Sequence, residues 1–76
     1  MNTNTPDTLF TRTPDELDAL LGYYLRQRRL ELGINLQVIS QALQLTEDTV
    51  TVYECGNLII PEQLLNRWIL LVHLQE

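Results

Sequence analysis

A chain of 76 residues with a net charge of −5 makes one small domain, and at this size only about 60% of the unfolded surface is buried, so the core is modest unless a second copy adds to it. The single Cys55 excludes an intrachain disulfide, no run approaches the roughly 20 apolar residues that span a bilayer, and the start MNTNTPDTLFTRT lacks the basic and apolar pattern of a secretory signal. The expectation is a cytoplasmic homodimer with no membrane contact.

Residues 1–12 read as a flexible N-terminal tail without hydrophobic periodicity, and residues 13–76 as the folded domain. The run TPDE predicts a helix start with Thr13 as N-cap, Pro14 at the first helical position and Glu16 reaching back to the cap. Leu17, Leu20, Leu21, Tyr24, Leu25 and Arg28 keep helical spacing down to Gly33, a natural stop after about five turns. Asn35 caps a second helix, with Ile34 and Ile39 placed as a hydrophobic staple, and this helix runs to about Leu43. Thr46 caps a third, in which Val50 and Tyr53 stand at i, i+3 on the inner side and Gly56 closes the element. After the loop NLII, Pro61 opens a fourth. The fold class is all-α, a small domain of four, or with one addition five, helices containing a helix-turn-helix.

Charge is distributed unevenly along this order. Asp7, Asp15, Glu16 and Asp18 stand against Arg12 in the first 20 residues, while Arg26, Arg28 and Arg29 stand against Glu31 in residues 21–46. From Glu47 onward five acids face only Arg67. The third helix therefore lies in an acidic half, and the overall field of such a domain does not attract phosphate.

The segment LGYYLRQRRLELGINLQVISQALQLTEDTVTVYECGN covers about half the chain and resembles the lambda-repressor-like, Cro/XRE-type DNA-binding domain. The resemblance is carried by the Leu-Gly pair at the entry to the first helix, by Arg29 three residues before the Leu-Gly stop, by the small Ser40 in the second helix, and by Thr46 as a cap. It implies a structural ion pair between Arg29 and Glu54, whose rupture would leave the surviving charge partly buried. It also implies that DNA is met by the start of the second helix and the early third, which places Leu36 with its neighbour Gln37, then Glu47, Asp48, Thr49 and Val52, at the contact. Several of these depart from the family pattern. Leu36 offers phosphate no donor, Val52 can touch only a thymine methyl, and carboxylates accept in the major groove from cytosine or adenine amino groups alone. Gln44 occupies the place of the usual turn glycine, a backbone state that a non-glycine enters at a small cost.

A carboxylate about 5 Å from a phosphate in water is repelled by roughly 0.8 kcal/mol, so four in a dimer cost about 3 kcal/mol, some two orders of magnitude in affinity. Arg26, Arg28 and Arg67 are the cations available to offset this through counterion release. Acids in a first helical turn also have an ordinary reason to be there, since they interact favourably with the helix dipole. His73 and Cys55 have no partners at metal-ligand spacing, and neither a catalytic triad nor a carboxylate pair stands out, so an enzyme, a metal and a cofactor are not expected.

On a helical wheel of LLNRWILLVHLQE, Leu64, Leu65, Trp68, Ile69, Leu71 and Val72 form the core arc while Leu70 and Leu74 fall on the other side. Together with Leu58, Ile59 and Ile60 in the preceding loop they mark an expected oligomer interface, the competing expectation being that Leu9 and Phe10 of the tail fold over them. Two functions remain open. One is a transcriptional regulator that binds duplex DNA as a homodimer; the other is an acidic helix-turn-helix protein that binds a protein partner in place of nucleic acid.

Overall fold

The computed structural model describes residues 13–73, and these form four helices with no strand among them. α1 spans Glu16–Glu31, α2 Leu36–Leu43, α3 Glu47–Glu54 and α4 Glu62–His73. Expectations about residues 1–12, Leu9 and Phe10 included, and about Leu74 lie outside the described residues. None of the four helices is long and apolar enough to cross a membrane.

α1 starts two residues later than TPDE predicts, because Asp15 rather than Thr13 is the N-cap. The Asp15 carboxylate accepts from the Leu17 and Asp18 amides at 3.0 and 3.2 Å, and the Asp18 carboxylate accepts from the Asp15 amide at 2.9 Å. A charged acceptor with a reciprocal partner at the third helical position outcompetes a threonine hydroxyl at the positive end of the helix. Asn35 and Thr46 cap α2 and α3 as expected, accepting from the amides of Val38 at 2.8 Å and Thr49 at 3.1 Å. Pro61 stands just before α4, its carbonyl accepting the first helical bond, from Leu65, at 2.8 Å.

The first three helices end alike. Ile34 and Gly33 donate back to the carbonyls of Arg29 and Leu30, Leu45 and Gln44 to those of Ser40 and Gln41, and Asn57 and Gly56 to those of Val52 and Tyr53. This double closure satisfies otherwise orphaned carbonyls and requires one left-handed residue in each case. Gly33 and Gly56 supply it with φ of 73° and 79°, and between α2 and α3 the residue is Gln44, at φ 60° and ψ 42°.

The core is a single cluster of Leu25, Ile39, Leu43, Val50, Ile60, Trp68 and Val72, with Leu21, Ile34, Leu36, Tyr53, Leu64, Leu65, Ile69 and Leu71 packed against it. Each fully buried aliphatic side chain contributes on the order of 1.5–3 kcal/mol relative to exposure. Trp68 is wholly buried and meets the Tyr53 ring edge-on, with centroids 6.1 Å apart, while its indole N–H has no hydrogen-bond partner among the described residues. The core arc expected for α4 is the one observed. Two other assignments are corrected. Ile60 belongs to the core and not to an exposed contact surface, because the loop turns it inward under α4. Leu17 and Leu20 share the helical spacing of α1 but are exposed, since only the side of α1 bearing Gly22, Leu25 and Arg29 faces the other helices.

Candidate recognition surface

The C-terminal half of α3 is clamped to α1. Arg29 donates through Nε to Glu54 Oε2 at 2.7 Å and through one terminal nitrogen to Oε1 at 3.1 Å, a bidentate pair in which both residues are 5% exposed. Its other terminal nitrogen donates to the Ile34 carbonyl at 2.9 Å, so the same guanidinium also fastens the turn after α1. With three donors used in fixed directions, the planar fork of arginine fits where lysine would not.

Two glycines complete the clamp by allowing backbones to touch. A Cβ on Gly22 would lie 2.4 Å from the Tyr53 carbonyl oxygen and 2.8 Å from that of Glu54, and one on Gly56 would lie 2.5 Å from the Ala19 Cα. Ser40 serves α2 in a comparable way, being buried with its hydroxyl turned back to the Gln37 carbonyl at 2.9 Å.

The N-terminal half of α3, by contrast, is on display. Glu47 and Asp48 are exposed, Thr49 and Val52 half-buried, and on α2 Leu36 is half-buried while Gln37 is exposed. Thr46 anchors this end twice, accepting from the Thr49 amide and donating to the Thr49 hydroxyl oxygen at 2.8 Å, which leaves the Thr49 hydroxyl proton available outward. Leu36 lines an open depression of about 400 Å³ with Leu30, Ile34 and Asn35, and its side chain packs on the core, so its role here is largely apolar.

Sequence reasoning named Gln37 but missed Gln41 and Gln44 as candidates for the same surface. Gln37 and Gln41 are exposed one turn apart on α2, and Gln44 is exposed in the turn that follows, so three amides run toward the start of α3. Their i, i+4, i+7 spacing was the signal, because residues four apart share a helix face.

The cations are less free than their number implies. Arg28 is paired with Glu31 at 2.8 Å and donates to the Val72 carbonyl at 3.0 Å, and Arg67 donates to the Ala42 carbonyl at 3.1 Å. Both thereby occupy the negative C-terminal ends of helices, Arg28 that of α4 and Arg67 that of α2. Arg26 is exposed and has no hydrogen bond to the described residues. Leu58 and Leu70 of the expected oligomer surface are exposed and Ile59 is half-buried. His73 meets the Tyr24 hydroxyl through Nε2, and Cys55 is exposed as a free thiol. No group of three or more His, Cys, Asp or Glu side chains that could hold a metal ion occurs among the described residues. Comparison with protein-family models, with curated proteins and with solved structures finds no match to this chain.

Proposed function

We propose that the chain is a helix-turn-helix transcriptional regulator that presents the N-terminal half of α3 to the major groove of duplex DNA. The observation that carries this reading is the asymmetry of α3, locked to α1 at Glu54 and, at its capped start, presenting exposed Glu47 and Asp48 beside half-buried Thr49 and Val52. A reading helix needs both properties, since its side chains must reach base edges while its backbone is held in register. Thr49 and Val52 would meet the bases, with Gln37, Gln41 and Gln44 supplying amides to phosphate or adenine.

A second reading rests on a different observation. Arg28 and Arg67 are engaged with backbone carbonyls, and the displayed end of α3 carries two carboxylates, a pattern that favours an acidic surface for a basic protein partner. Retention on duplex DNA at low salt, lost progressively as salt rises, supports the regulator. Absence of retention, together with a stable complex recovered by pull-down and weakened by Glu47→Gln with Asp48→Gln, supports the protein partner.

A further inference from the structure

α1 buries one apolar face and exposes another. Leu17, Leu20, Tyr23, Tyr24 and Leu30 are 74, 63, 59, 39 and 47% exposed, and at 100° per residue they cover one continuous arc of about 140° on the side away from Gly22, Leu25 and Arg29. Within that arc the polar residues are Gln27 at its centre and Glu16 and Glu31 at the two ends of the helix. Single exposed leucines are ordinary, and the outer sides of α2 and α4 carry one large aliphatic each, Val38 and Leu70. Five on one helix are a patch of the kind that marks an interaction surface.

The charges of α1 say what covers it. Glu16 is exposed at the acidic start of the helix and Arg26 is exposed toward its end, while Asp15, Asp18, Arg28 and Arg29 are engaged within the protomer. Laid antiparallel on a second α1, the acidic end meets the basic end, the two helix dipoles oppose one another, and the apolar stripes coincide; laid parallel, acid meets acid. A two-fold interface must be self-complementary in this sense, because each surface is its own partner.

We infer that the outward face of α1 is the interface with a second copy of this chain, the two helices running antiparallel about an axis near Leu20–Tyr23. This pairs Leu20 of each copy with Tyr23 and Tyr24 of the other and brings the exposed Glu16 within reach of the exposed Arg26. The interface lies on the side of α1 opposite α3, so it leaves the displayed end of α3 open and does not rest on what that end binds.

Sedimentation equilibrium of the full chain across a wide concentration range should show a species of twice the 8.8 kDa protomer mass. Leu17→Glu with Leu20→Glu should reduce this to a folded 8.8 kDa protomer, its fold reported by the fluorescence of the single, buried Trp68. Glu16→Arg should weaken the dimer up to about fivefold per ion pair and the added Arg26→Glu restore it. In a Cys55→Ser background, Tyr23→Cys should cross-link to itself under mild oxidation and Leu17→Cys should not. A native chain that is monomeric throughout, a dimer that survives the two glutamates, or self-linking by Leu17→Cys would each overturn the inference. So would vesicle binding by a monomeric chain.

Discussion

The two ends of α3, a helix of eight residues, obey different rules. At Glu54 every feature fixes position, namely the bidentate pair with Arg29, the Gly22 contact and the left-handed Gly56 seated on Ala19. At the Glu47 end the Thr46 cap and the buried Val50 hold the backbone, and the Glu47 and Asp48 side chains are exposed to solvent. The difference teaches that scaffold and display are separated along one short helix, and that substitutions should divide by which end they touch.

The sharpest break comes at the clamp. Glu54→Ala should destabilise the fold by about 3–5 kcal/mol, because the Arg29 guanidinium stays buried with only the Ile34 carbonyl to meet it. Thermal unfolding followed by Trp68 fluorescence measures this, and a loss no greater than that of Glu47→Ala would show that the two ends do not differ. Gly22→Ala comes next, at about 1–3 kcal/mol, since its Cβ meets carbonyl oxygens that cannot move without shifting α3. Denaturant titration should show a lowered midpoint with an unchanged slope.

The turn between α2 and α3 should respond in the opposite direction. Gln44→Gly relieves a left-handed backbone that costs a non-glycine about 1–2 kcal/mol, against a larger entropy loss for glycine on folding. A net gain of roughly 0.5 kcal/mol is expected, read as a small rise in melting temperature. Glycine at this site also removes one of the three displayed amides, so stability and binding should part company there.

Much of this contrast was legible in the sequence. Caps and stops are local chemistry, so Asn35, Thr46, Gly33 and Gly56 announce themselves, and Gln44 is placed correctly through the resemblance, which puts a turn residue of left-handed backbone there. The Arg29–Glu54 pair followed from a resemblance in the sequence and is present in the structure. What failed was reading burial from one helix or one loop alone. Leu17, Leu20 and Ile60 are as apolar as Leu25, and only the packing of the other helices decides which of them is covered. Thr13 and Asp15 are both good caps, and the reciprocal Asp18 decided between them. Gln41 escaped notice because an amide carries neither the charge nor the hydrophobicity that draws attention to a surface.

The largest functional effect should come from a substitution that leaves the clamp intact. Glu47→Gln with Asp48→Gln removes two favourable dipole interactions of about 0.3–1 kcal/mol each and leaves the clamp untouched. It also removes the repulsion of phosphate and adds amide donors, about 3 kcal/mol for a dimer. Titration of both chains with duplex DNA at low and rising salt is the most direct measurement of whether the free end of α3 is a reading end. The account predicts binding by the native chain that weakens with salt, and binding by the double variant up to about a hundredfold tighter. No binding of any duplex by either chain would contradict it.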